Sequence, residues 1–135
     1  MPSGSPRAIA DVMRMERENR AGGPIVRGFA GNGFRVEDTA YRALLLTVDR
    51  AAEWSPPALA DLDEAALGPL VADQPEFVLI GTGATLVRPP QALVAALEAR
   101  EIGVEAMDSR AAARAWGVLR SEGRRIAAAL YPLDA

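Results

Sequence analysis

Apolar and polar positions change rhythm several times along the chain, and each rhythm predicts an element. Ile25-Val26-Arg27-Gly28-Phe29 and Gly33-Phe34-Arg35-Val36 alternate apolar and polar side chains on either side of the turn-forming Gly31-Asn32-Gly33. A period of two interrupted by a glycine-rich turn predicts a pair of antiparallel strands. After a second turn at Glu37-Asp38-Thr39, the run from Tyr41 to Val48 contains three consecutive leucines, Leu44 to Leu46. A strand without polar alternation is covered on both faces, so this run is expected at the centre of a sheet. Arg50 to Trp54 predicts one more short strand, ended by Ser55-Pro56-Pro57 because proline lacks the ladder donor.

Helical spacing follows. Asp61 or Asp63 is placed to cap a helix with Leu67, Leu70 and Val71 on one face, and Gly68-Pro69 is expected to break or kink it. Phe77 to Ile80, Val104 to Met107 and Ile126 to Leu130 are short apolar runs separated by two segments of helical period, which is the punctuation of a βαβαβ unit. The first of these helices is predicted to start near Pro90, to bury Leu93, Val94 and Leu97, and to end before Gly103 as its C′ residue. The second is predicted to start after Asp108-Ser109, to bury Ala112, Trp116 and Leu119, and to end near Gly123.

Together these elements predict a single layered α/β domain over residues 25–135, with a mixed central sheet, N-terminal antiparallel strands and a C-terminal βαβαβ unit. Residues 1–24 have a different texture. Ser3-Gly4-Ser5-Pro6 and Gly22-Gly23-Pro24 bracket a charged piece in which Ile9, Val12 and Met13 follow helical spacing, and the segment is expected to be a flexible or partly helical arm.

Composition narrows the chemistry more than it narrows the fold. The chain has 135 residues, 50% of them hydrophobic, with a mean hydropathy of +0.04, enough apolar material for one core. No apolar run approaches the roughly 20 residues needed to cross a bilayer. The N-terminus lacks the apolar centre of a secretory signal, and Asp11, Glu16 and Glu18 sit badly in an organellar transit peptide, so a bacterial-type cytoplasmic location is expected.

Cys and His are absent, and all 15 basic residues are Arg. Disulfides, thiolate nucleophiles, thiolate metal sites, imidazole bases, most zinc sites, Schiff-base amines and the P-loop lysine are therefore excluded. Proton transfer would fall to Asp, Glu, Tyr41, Tyr131 or hydroxyls, with a carboxylate of raised pKa or a borrowed cofactor. No cofactor or metal is expected, and an enzymatic role is disfavoured but left open. A net charge of −3 and a pI near 5.0 disfavour nucleic-acid binding, which needs a concentrated basic face.

One place nonetheless has the chemistry of a small-ligand site. In a parallel arrangement Gly81-Thr82-Gly83 and Asp108-Ser109 lie just beyond strand carboxyl ends and just before helices, where open α/β sheets bind ligands. Helix amides and the Thr82, Thr85 and Ser109 hydroxyls would face a small anion there, with Arg88 or Arg110 supplying charge. The plainer account is that Gly81 and Gly83 permit a tight turn while Asp108 or Ser109 caps a helix, and a single Gly-Thr-Gly lacks the dinucleotide fingerprint.

Elsewhere, Arg110, Arg114, Arg120, Arg124 and Arg125 form a dense basic region that is either a solvated face or a patch for an acidic partner. Phe29, Phe34, Trp54 and Trp116 are expected to pack in the core and at edges rather than stack on bases. Glu37-Asp38 and Asp61-Asp63-Glu64 are expected to be solvated turns and caps.

Four strings, Val26 to Val36, Phe77 to Gly83, Ile102 to Ser109 and Glu122 to Leu130, resemble in that order the Mth938-like family, DUF498. The likeness covers roughly residues 25 to 132. It implies a compact layered α/β domain and little about chemistry, because fold travels further than function. Mitochondrial relatives include an assembly factor for respiratory complex I, which implies a protein-binding role. Where many members carry Thr-Tyr-Asn in the last helix, this chain has Ala115-Trp116-Gly117, so a polar role for that run is doubtful and Trp116 retains only the aromatic packing.

The sequence thus leads to a non-catalytic accessory protein that binds a protein partner in the assembly of a respiratory or membrane complex, with a homodimer as a further possibility. The alternative is a small-anion-binding protein or enzyme using Gly81 to Gly83, Thr85, Arg88 and Asp108 to Arg110.

Overall fold

The computed structural model describes residues 23–135. The expected arm therefore lies outside the described residues, apart from Gly23 and Pro24. Among the described residues eight strands form two sheets. β1 (Val26–Ala30), β2 (Gly33–Val36) and β3 (Thr39–Tyr41) make a small antiparallel sheet in that order. β4 (Leu44–Leu46), β5 (Ala51–Glu53), β6 (Phe77–Gly81), β7 (Gly103–Met107) and β8 (Ala127–Leu130) make a mixed sheet ordered β5-β4-β8-β6-β7. β6 runs parallel to both β7 and β8, whereas β4 is antiparallel to β8.

Among the described residues three α-helices join the sheets: α1 (Gly68–Ala72), α2 (Gln91–Glu98) and α3 (Ser109–Ser121). The strand side chains alternate between two buried clusters. Leu45, Val78, Ile80, Ala127 and Ala129 face Leu70, Leu93 and Leu97 of α1 and α2, together with Trp54 and Tyr131. Leu44, Leu46, Leu79, Ala128 and Leu130 face Ala112 and Trp116 of α3 and Phe34 and Val36 of β2. The large sheet is thus the middle layer, which is why its inner strands β4, β6 and β8 have no polar alternation.

Two expectations are corrected. The run Tyr41 to Val48 is not one strand, because the chain bends at Arg42 and Ala43 and passes Tyr41 to the small sheet and Leu44 to the large one. That bend presses on β2: a Cβ added at Gly33 would meet the Tyr41 carbonyl oxygen at 2.4 Å. The centre of the large sheet is β8 rather than Leu44 to Leu46, because both β4 and β6 pair with it. Alanine is a poor strand former, but burial of Ala127 to Ala129 between two layers overrides that preference.

Gly68-Pro69 breaks the helical segment as expected: a 3₁₀ turn over Ala65–Leu67 stops there and α1 opens with the pair in its first turn, where proline's missing N–H had no helical partner. Asp63 caps the preceding 3₁₀ turn by accepting the Ala66 N–H at 3.0 Å. The second correction concerns the end of α2, where Glu101 rather than Gly103 takes the left-handed conformation, with φ 64°. The Ile102 N–H reaches the Leu97 carbonyl and the Glu101 N–H reaches that of Glu98, the two bonds of a Schellman ending. Val94 and Leu119 are only partly buried.

The amino ends of β6 and β8 are clasped by charge. Glu76 accepts from the Arg124 guanidinium at 2.8 and 2.9 Å and from the Arg125 N–H at 3.3 Å, and Arg125 pairs with Asp73 at 2.8 Å. These bonds from Arg124, and then that from Arg125, hold the Glu76 carboxyl below its ordinary range, while Glu76 raises the Arg124 guanidinium.

Candidate functional site

The opposite end of the sheet holds the residues marked out in the sequence. Gly81 of β6 lies beside Met107 of β7, and the Thr82 N–H donates to the Met107 carbonyl at 2.9 Å. Residues 81–83 and 108–109 therefore share one rim. α2 and α3 lie on opposite faces of the sheet, so the connections leaving β6 and β7 diverge and create the switch point at which α/β sheets hold ligands.

Local hydrogen bonds then decide what that rim offers. The Ser109 hydroxyl is fully buried; it accepts the Gly83 N–H and donates to the Tyr131 carbonyl, both at 2.8 Å. The Ser109 N–H donates to the Gly83 carbonyl at 2.8 Å. The Thr82 hydroxyl donates to the Thr85 carbonyl at 2.6 Å and accepts the Val87 N–H at 3.0 Å. Asp108 caps α3 through a 2.9 Å bond from the Ala111 N–H. The hydroxyls of Thr82 and Ser109 are thus committed to their own chain.

The crevice is also occupied by the chain's last residues. The Tyr131 N–H donates to the Gly81 carbonyl, the Ala84 N–H to that of Ala135 and the Leu133 N–H to that of Asn32. Asp134 accepts from Asn32 at 3.2 Å and Arg42 at 3.4 Å. Gly83 has φ 104°, and a Cβ there would meet the Ala135 carbonyl oxygen at 2.5 Å. Both the turn and the close approach therefore require glycine.

The remaining candidates, Thr85, Arg88 and Arg110, are exposed. Between Thr85 and Arg88 the loop presents Leu86, 61% exposed, and Val87, 47% exposed. The Arg110 guanidinium lies 4.9 Å from the centre of the Phe29 ring, itself 38% exposed. Sequence reasoning passed over Leu86 and Val87. The available signal was an apolar pair just before Pro89-Pro90, in a segment with neither strand nor helix period.

Behind the rim, Tyr131 is 4% exposed and donates to the Pro57 carbonyl at 2.9 Å. Burial, and secondarily the charge of Asp61, pushes its phenol up to about 12, so it is neutral near pH 7. Trp116 is buried and donates its indole N–H to the Pro24 carbonyl at 2.8 Å, consistent with a packing role. Phe34 is likewise buried, and the Trp54 ring stands edge-on to that of Tyr131. Among the described residues no group of three or more Asp or Glu is arranged to hold a metal ion, and no helix is long and apolar enough to cross a membrane.

The arrangement defines a three-layer α/β domain of the Mth938-like type. The chain belongs to the family described as protein of unknown function, DUF498/DUF598, whose model matches residues 26–131. An uncharacterized protein of Rhodobacter capsulatus is 34% identical over 114 residues, covering 84% of this chain and 88% of that protein. A Bordetella pertussis protein described as an Mth938-like domain superposes with a TM-score of 0.71 at 27% identity, covering 82% of this chain and 87% of that one. A Bartonella henselae protein described as an outer membrane protein superposes with a TM-score of 0.73 at 28% identity, covering 83% and 97%.

Proposed function

We infer that the domain is a non-catalytic accessory protein of assembly type, which engages a protein partner through the surface of the rim rather than through its interior. The observation that carries this reading is the state of the rim: the buried hydroxyls are spent on the chain's own backbone, and what faces outward is the Leu86-Val87 pair. Two adjacent, exposed apolar side chains followed by the exposed Arg88 fit an interface whose apolar centre is rimmed by charge.

Capture of the tagged full chain from a native lysate, compared with Leu86→Asp/Val87→Asp, tests this. A stoichiometric protein retained by the parent and lost from the exposed-loop variant supports the reading. Equal capture by both overturns the assignment to this loop.

The second reading, a small anion at the rim, is favoured by the side-by-side placement of residues 81–83 and 108–109 with Arg88 and Arg110 exposed. Titration with inorganic phosphate tests it: saturable amide shifts at Gly81 to Thr85 and at Ser109 and Arg110 would support it, and their absence would remove it.

A further inference from the structure

Charge is divided unevenly over this acidic chain. Residues 24–36 and 109–121 contain Arg27, Arg35, Arg110, Arg114 and Arg120 and neither Asp nor Glu, although the whole chain carries −3. β1 and α3 bring these two segments together, with a cleft of about 200 Å³ between them lined by Val26, Arg27, Gly28, Phe29, Ala113 and Arg114. Small-molecule sites run to roughly 300–1,000 Å³, so this cleft has room for an anchoring side chain rather than a metabolite.

Its border is cationic and only lightly neutralised. Arg27 approaches Glu37 at 3.8 Å, whereas Arg110 and Arg114 pair with no carboxylate among the described residues. Arg110, Arg114 and Val118 recur at intervals of four on α3 and share its outer face, where Val118 is 58% exposed. Apolar walls flanked by the Arg27 and Arg114 guanidinium groups complement an apolar side chain flanked by carboxylates.

We propose that the cleft between β1 and α3 docks a segment of a protein partner bearing one bulky apolar residue with Asp or Glu beside it. A polyanion such as RNA, or an anionic membrane, suits this face less well. The chain's overall negative charge opposes long-range attraction to a dense array of phosphates, and a cleft sized for a side chain matches neither surface. The proposal rests on the partner-binding reading but concerns a surface separate from the Leu86-Val87 loop.

The test is selection of a displayed random dodecapeptide library on the full chain, with phosphatidylglycerol vesicles and a single-stranded RNA oligonucleotide as parallel probes. Selected peptides are expected to be enriched in Asp and Glu around a Phe, Leu or Trp. They should bind Arg114→Glu about tenfold more weakly, or worse, and should bind Leu86→Asp as they bind the parent. Arg114 is exposed, so its replacement leaves the core intact.

A pool without acidic enrichment overturns the proposal, as does affinity unchanged by Arg114→Glu. So does binding of the vesicles or the oligonucleotide in place of peptides, or a dimer of the chain that Arg114→Glu dissociates. If instead the peptides bind as expected while lysate capture fails, the cleft stands and only the loop's role falls.

Discussion

Replacing Ser109 with Ala removes two hydrogen bonds from a position with no access to solvent, so it measures how tightly the rim is sealed. The loss is larger than that of an ordinary exposed bond, because the Gly83 N–H and the Tyr131 carbonyl are left without their partner. Each stranded buried group costs about 1–3 kcal/mol, and the serine methylene keeps its packing as the alanine methyl, so a total near ~3 kcal/mol is expected. With a urea m-value of about 1–3 kcal/mol/M, the midpoint should fall by roughly 1–3 M. Equilibrium urea unfolding followed by the fluorescence of Trp54 and Trp116 reads this directly, and amide exchange at Gly83 should speed up in the same variant. A loss below about 0.5 kcal/mol would refute the reasoning, because it would mean that water already reaches these groups and that the crevice is open.

Two further predictions concern pH. Tyr131 has a phenol raised from about 10 in an unfolded chain to about 12 in the fold. Its neutral form therefore contributes stability that is fully present below pH ~10 and is lost as pH rises through the folded value. Tyr131→Phe should abolish that alkaline loss while lowering stability near neutrality by about 1 kcal/mol through the missing bond to Pro57; unfolding midpoints between pH 7 and 11 check both effects. Glu76 shows the opposite sign: its lowered carboxyl contributes stability above the unfolded carboxylate value that is lost as pH falls through the folded one. Glu76→Gln should flatten the acid limb of the stability profile, and because the pair is exposed the difference should shrink in high salt.

The sequence is most legible where short apolar runs alternate with helical segments. Phe77 to Ile80, Val104 to Met107 and Ile126 to Leu130 announce themselves as apolar runs, and Asp108 and Gly123 mark the ends of α3 because capping is local chemistry. The break between β3 and β4 is hidden, since Arg42 is the only charged residue between Thr39 and Thr47 and the bend arises from packing of the small sheet on the large one. The left-handed Glu101 is hidden for a related reason: Gly103 is instead placed where a Cβ would stand 3.1 Å from the Phe77 Cβ.

At the candidate site, the position was legible and its contents were not. The carboxyl ends of two adjacent parallel strands bring residues 81–83 and 108–109 together whatever else happens. That Tyr131 to Ala135 would fold back across them depends on carbonyls, which every residue carries and no side-chain pattern reports. The exposure of Leu86 and Val87 follows from the same closure, because the Thr82 hydroxyl turns the loop on itself and directs its apolar pair outward.

The central claim, that this domain works by holding another protein, is tested most directly by native mass spectrometry of the full chain purified gently from its own cells. The account predicts a complex of the 14.3 kDa chain with a second polypeptide in fixed ratio, absent when Leu86 and Val87 are both replaced by Asp. A chain that flies alone, carrying only a small-molecule adduct that Leu86→Asp/Val87→Asp retains, would contradict it.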